Sequence, residues 1–220
     1  MMTSLYKLTD QNWETRGRTK WGPGVTHGPT SGKGDLCGPG WLHAYTSLEL
    51  ALMMNAVHAD IKDFVAWIAD GTVEKSDRGL KIGTMMLTTI RIVKPPAVTT
   101  EHRVRFAIFC AIAVFDAPKF TAWATRWLSG KERMTAEAKA EAAKAAEAAK
   151  AAVAAWAAWA AEAEAAEAKA AEAKAAAAAA AVAAVAAAKA AEAAAVVSEK
   201  LNKPINFDKL AKKAIYGEKK

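Results

Sequence analysis

KAAAAAAAVAAVAAAKAAEAAAVVS, residues 174–198, decides how this chain is put together. It closes a region from Ser129 to Ser198 in which alanine dominates and, after Gly130, neither glycine nor proline occurs. Alanine, glutamate and lysine are strong helix formers, and the charges recur at spacings of three and four, where helix neighbours meet. The region therefore reads as α-helix. As one continuous helix its ~70 residues would run about 105 Å, and the sequence leaves open whether it projects or folds back. Ser129 and Glu132 match the S-x-x-E capping box that starts it, and Asn202-Lys203-Pro204 stops it. Leucine and isoleucine are absent from heptad core positions, so a standard coiled coil is not supported. Val153, Trp156, Trp159, Val182 and Val185 interrupt the alanine and are expected to mark buried contacts, within the chain or with other molecules. Of these, Trp156, Trp159, Val182 and Val185 form the candidate interaction surface. The uncharged run Ala175–Ala188 is expected to be buried or to face a partner.

Alanine buries little area, so this region cannot build a thick core alone. The core formers lie upstream: six of the eight tryptophans and five of the six phenylalanines precede Gly130. The expected fold class is α+β, with a small mixed-sheet domain over residues 1–98. Packed helices over 99–130 complete its core, and an Ala-rich helical region with a short docking helix follows over 131–220. Leu5–Leu8 and Phe64–Ala69 read as strands, and so does Thr84–Val93, where Met86, Thr88, Ile90 and Ile92 alternate onto one face before Pro95-Pro96. Thr46 or Ser47 caps a helix through Met54, with Leu48, Ala51 and Leu52 as its stripe. Thr99 or Thr100 caps a second helix that is apolar all round from Phe106 to Phe115, and a third begins at Asp116-Ala117-Pro118 and carries Phe120, Trp123, Trp127 and Leu128 on one face. Asn206 caps a last helix ending at Gly217, whose face of Phe207, Leu210, Ala211, Ala214 and Ile215 is expected to dock on the long helix or on another subunit.

The net charge is +7. Residues 1–130 hold 15 basic against 11 acidic groups, a net of +4, and residues 131–220 hold 15 against 12, a net of +3. The excess is spread out, so a nucleic-acid partner stays open without being demanded. The two cysteines, Cys37 and Cys110, form no C-x-x-C, and Cys110 sits in an apolar run as a buried free thiol. A reducing cytoplasm, the host's if the chain is phage-encoded, fits that usage. Met1–Asp10 lacks the apolar core of a signal peptide, and Ala175–Ala188 is too short and too weakly hydrophobic to span a bilayer, so no membrane partner is expected.

Histidines His27, His43, His58 and His102 show no metal-ligand spacing, and no metal is expected. Gly32-Lys33-Gly34 is a turn rather than a P-loop, and no G-x-S-x-G elbow occurs. Gln11–Gly34 is a long loop with Gly22-Pro23-Gly24 and Ser31-Gly32-Lys33-Gly34 turns. Arg16, Arg18, Lys20 and Lys33 in it could grip phosphates, with Trp13 and Trp21 stacking on bases; the alternative is an ordered surface loop anchored by its tryptophans.

The run Leu36-Cys37-Gly38-Pro39-Gly40-Trp41-Leu42-His43-Ala44-Tyr45-Thr46-Ser47 leads into a helix. It resembles the second core motif of the ADP-ribosyltransferase-like fold over about residues 4–93. That resemblance implies a compact α+β domain with an NAD-binding cleft lined by Tyr45, Thr46 and Ser47, beside His43. It also marks departures: Lys7 stands where those enzymes place an arginine or histidine, and Glu74 and Glu101 are the late glutamates, neither in a clean strand. A binding-only version follows, with no cofactor, or NAD for the enzyme alternative. Cys37, Gly40, Trp41, His43 and Ala44, then Trp156 and Trp159, also resemble uncharacterised bacteriophage-encoded proteins with an Ala/Trp-rich helical tail. Together these point to a non-enzymatic phage-type accessory protein that binds a protein partner or a nucleotide-like ligand, with self-association through the Ala-rich helices.

Overall fold

The computed structural model describes residues 4–115, 117–130, 175–202 and 204–217, with side chains of the third stretch from 182 onward. Among the described residues nine strands and five α-helices follow in chain order: β1 Leu5–Thr9, β2 Glu14–Thr15, β3 Thr19–Lys20, β4 Val25–His27, β5 Leu42–Ala44, α1 Leu48–His58, β6 Val65–Asp70, β7 Lys75–Asp77, β8 Lys81–Thr84, β9 Leu87–Val93, α2 Thr100–Val114, α3 Pro118–Leu128, α4 Ala175–Lys200 and α5 Phe207–Tyr216. All pairings are antiparallel. One sheet runs β1-β6-β9-β4, a second β5-β8-β7, and β2-β3 is a separate hairpin. The class is α+β.

Tyr45 joins the two larger sheets. Just past β5 it exchanges main-chain hydrogen bonds of 2.8 and 2.9 Å with Tyr6 of β1. The face of β1 and β6 that carries Leu8 and Ala66 packs on helices. There Leu50, Met53 and Met54 of α1 and Phe106 and Phe109 of α2 meet Ala187, Ala188, Ala191, Ala194 and Ala195 of α4 in one core. The bulk comes from α1 and α2; the alanines let the third helix approach closely. Leu5 and Ala69, on the opposite face, meet Ala44, Ile82, Leu87 and Trp21 in a second core. Helix α3 closes on α2 through Ile108, Trp123 and Trp127.

Several expectations change. The strand expected over Thr84–Val93 is two, β8 and β9, with Met85 and Met86 between them. Ala69 pairs with Thr89 but Ile68 with Arg91, so Ile90 is an extra residue, a β-bulge. The bulge puts Thr88 and Ile92 on opposite faces, and the buried residues are Leu87 and Thr89. Helix α5 packs on α1 and α2 rather than on the long helix. The described part of the alanine-rich region is a helix of 26 residues, and its alanines belong to the front domain's core. Val182 is 67 % exposed and Val185 half-buried. Val153, Trp156, Trp159 and the capping partner Glu132 lie outside the described residues. Gly130 ends α3 at a φ of +85°. No helix among the described residues is long and apolar enough to cross a membrane.

Candidate functional site

Residues 35–47 run from an open end to a closed one. At the closed end the chain leaves β5, pairs through Tyr45 with β1, and enters α1. Ser47 is the N-cap, its Oγ accepting from Leu50 N at 3.2 Å. Thr46 Oγ1 donates to Asp208 Oδ2 at 2.7 Å, and Ser47 Oγ donates to Asp208 Oδ1 at 2.9 Å. One carboxylate from the first turn of α5 thus bridges both hydroxyls at the positive end of α1, where the helix dipole favours an anion. Tyr216, at the other end of α5, donates to Glu49 at 3.1 Å. The Tyr45 hydroxyl shares a 3.2 Å hydrogen bond with His58 Nδ1, and the two rings stack with centroids 6.0 Å apart. His58 Nε2 lies 3.5 Å from Glu192 of α4. Burial pushes the Tyr45 phenol well above its ordinary range, so it remains neutral.

Lys7 of β1 lies beneath this segment. Its Nζ donates to His43 O at 2.8 Å and sits 4.9 Å from the centre of the Trp21 ring. Among the described residues no carboxylate lies within 4.0 Å of it. Burial alone pushes its ammonium down to about 8. The His43 ring holds the carbonyl of Leu36 through Nε2. A carbonyl only accepts, so Nε2 carries the proton. Burial lowers the His43 pKa; the Leu36 hydrogen bond opposes this, and the charges of Lys7, Lys81 and His58 add to it.

Across Leu36 lies the open end, a cleft of about 370 Å³ bounded by Asp35–Cys37, Lys75–Arg78 and Glu199. Cys37 is exposed, and its Sγ accepts from Lys81 Nζ at 3.0 Å. Lys81 reaches Asp77 at 4.0 Å. Arg78 Nε donates to Glu199 Oε2 at 2.6 Å, and Arg78 also meets Asp77 at 3.5 Å. Lys75 donates to Gly34 O at 2.7 Å and stands 5.6 Å over the Trp41 ring. Gly40 permits the surrounding loop to close, because a Cβ there would overlap Lys33 O.

The expected ligand residues His43, Tyr45, Thr46 and Ser47 do cluster, but the hydroxyls of Tyr45, Thr46 and Ser47 and the Nε2 of His43 are engaged by the chain itself. The cleft residues Arg78 and Glu199, Lys81 behind Cys37, and the bridging Asp208 were not singled out as site residues by sequence reasoning; Asp208 was legible only as a first-turn acid. Glu74 binds Met85 N at 2.8 Å, and Glu101 opens α2. In the basic loop, Arg16, Arg18 and Lys20 share the β2–β3 hairpin, while Lys33 is exposed on the later loop. Trp21 is 2 % exposed and Trp13 packs edge-on against Trp67 at 5.3 Å. Of the two readings of these tryptophans, stacking on bases or anchoring the loop, the contacts are those of anchors, and Trp21 has no free face for a base. Among the described residues no three His, Cys, Asp or Glu side chains gather as a metal site. No family model, no curated protein and no solved structure matches the chain.

Proposed function

We propose that the chain is a non-enzymatic binding protein, of the phage accessory type its sequence resembles, and that it takes a nucleotide-like ligand in the cleft at Cys37. One contrast supports this reading. Tyr45 and Ser47 are covered by the fold, whereas Asp35–Cys37, Lys75–Arg78 and Glu199, three distant stretches, converge around open volume although their polar groups also have partners in the chain. A cleft of about 370 Å³ is at the small end of ligand sites, the size for a mononucleotide fragment rather than a whole dinucleotide. Arg78 exchanges Glu199 for a phosphate, which a guanidinium holds through two parallel hydrogen bonds. Lys75 adds charge beside Trp41. The alanine-rich helix α4 is then the scaffold that carries Glu199 to the rim.

Titration calorimetry with AMP, ADP-ribose and NAD tests the reading. Binding of at least one is expected, weakened about tenfold in Arg78→Ala. Absence of heat with all three overturns it. Consumption of NAD by the purified wild-type chain replaces it with the transferase-like enzyme.

A further inference from the structure

We infer that the tip of the β2–β3 hairpin, Arg16-Gly17-Arg18, is a reader of the minor groove of A·T-rich duplex DNA. This surface is separate from the cleft and does not depend on it. The hairpin pairs Glu14 with Lys20 and Thr15 with Thr19, leaving three residues at the turn. Arg16 and Arg18 are exposed, and among the described residues neither guanidinium has a carboxylate within 4.0 Å or a hydrogen-bond acceptor. The tip that carries them is held at its base. Asp10 Oδ1 accepts from Asn12 N at 2.9 Å and Glu14 N at 2.7 Å. Trp21 N donates to Trp13 O at 2.8 Å, and Trp21 Nε1 to Thr15 Oγ1 at 2.9 Å. Trp13 and Trp21 thus clamp the base, one on Trp67 and one in the core.

The backbone at the tip is unusual. Gly17 has a φ of +78° and Arg18 holds +60°, in the left-handed region that side chains rarely adopt; at the base, Trp13 holds +63°. Such conformations persist where the surroundings over-determine them, and they concentrate at functional positions. Here they fall at Gly17 and Arg18, so two exposed arginines flank a residue with no side chain.

The choice of partner follows from elimination by shape. Single strands need exposed aromatic platforms, and the loop's tryptophans are buried or packed. A major groove about 12 Å wide takes a full β-ribbon; strands of two residues protrude only about 7 Å. The minor groove, about 6 Å wide, admits lone side chains. It is narrowest and most negative in A-tracts, where the weakly hydrated guanidinium is favoured over an ammonium. Double-stranded RNA has a wide, shallow minor groove and offers no such slot. Gly17 between the arginines lets the backbone sit against the groove walls.

Fluorescence anisotropy with the full chain tests this, using a labelled A-tract duplex, a G·C duplex of equal length and oligo-dT. The A-tract duplex is expected to bind about tenfold tighter than the G·C duplex. The Arg16→Ala/Arg18→Ala variant should lose about tenfold or more on the A-tract, with an unchanged circular-dichroism melt. The Arg16→Lys/Arg18→Lys variant should keep salt-sensitive binding and lose the A·T preference. A polyamide that fills the A·T minor groove should displace the wild-type chain. Equal affinity for both duplexes, preference for oligo-dT, no binding at low salt, indifference to both double substitutions, or failure of the polyamide to compete each overturns the proposal.

Discussion

The two ends of residues 35–47 use polar chemistry in opposite ways. At Thr46 and Ser47, hydroxyls, a helix terminus and the Asp208 carboxylate are matched to one another and covered by α5. At Cys37, a thiol, an ammonium, a guanidinium and carboxylates surround space. Motif residues can therefore be structural while their near neighbours in sequence remain available. Both ends are hydrogen-bonded, so cover, more than pairing or residue type, separates a fastening from a site: Ser47 is 3 % exposed, whereas the paired Arg78 and Glu199 side chains stand 45 % and 64 % exposed on open volume.

The contrast should appear most strongly in the two thiols. Cys37 is exposed and Cys110 is wholly buried, with burial holding its thiol well above the ordinary range. In the native chain, alkylation should be faster at Cys37 by a factor on the order of 10³ or more, because Cys110 reacts only when the core opens. Mass spectrometry of partially labelled protein reads this, and comparable rates would break the division between closed and open regions.

Next in size is the pH response of Lys7. Its ammonium titrates at about 8 in the fold and at 10.5 unperturbed. Below pH 8 both states are protonated, and the fold bears the burial penalty. Between 8 and 10.5 the unfolded chain binds the extra proton at this residue, so the contribution of Lys7 to stability rises with pH, by on the order of 3 kcal/mol in total. In urea melts the stability of wild type minus that of Lys7→Met should therefore rise across that window, whatever Cys110 and Tyr45 add to both; a constant difference would place the charge elsewhere.

Asp208→Ala should destabilise by about 2–3 kcal/mol, since Thr46 and Ser47 lose charge-assisted partners while covered. Asp208→Asn, which keeps the shape, should recover part of this. At the open end, Arg78→Ala should change stability by no more than about 0.5 kcal/mol, because its pair with Glu199 is exposed. A loss at Arg78 as large as at Asp208 would erase the distinction.

Much of the local structure was legible from residue patterns. The Ser47, Thr99 and Asn206 caps, the Gly130 and Gly217 stops and the apolar wrap of α2 are short-range effects written in a few neighbouring residues. What escaped was long-range. The bulge at Ile90 depends on how β6 meets β9. Asp208 reaches hydroxyls 161 and 162 residues away. Trp13 and Trp21 carry the same sequence signal whether they stack on a ligand or on their own sheet. The cleft is invisible to any window, since Cys37, Arg78 and Glu199 meet only once α4 has docked. For α4 itself, composition signalled helix, but not that the partners supplying the bulk are α1 and α2.

The alanine seam of α4 has a genetic consequence. Every one-nucleotide amino-acid replacement of an alanine codon yields glycine, serine, threonine, proline, valine, aspartate or glutamate. None keeps both the size and the apolarity of the methyl group while preserving helix propensity. Ala187, Ala188, Ala191, Ala194 and Ala195, all nearly inaccessible, therefore occupy positions with no neutral neighbour in sequence space. A region that looks like low-complexity filler should, over this stretch, be among the slowest parts of the chain to drift.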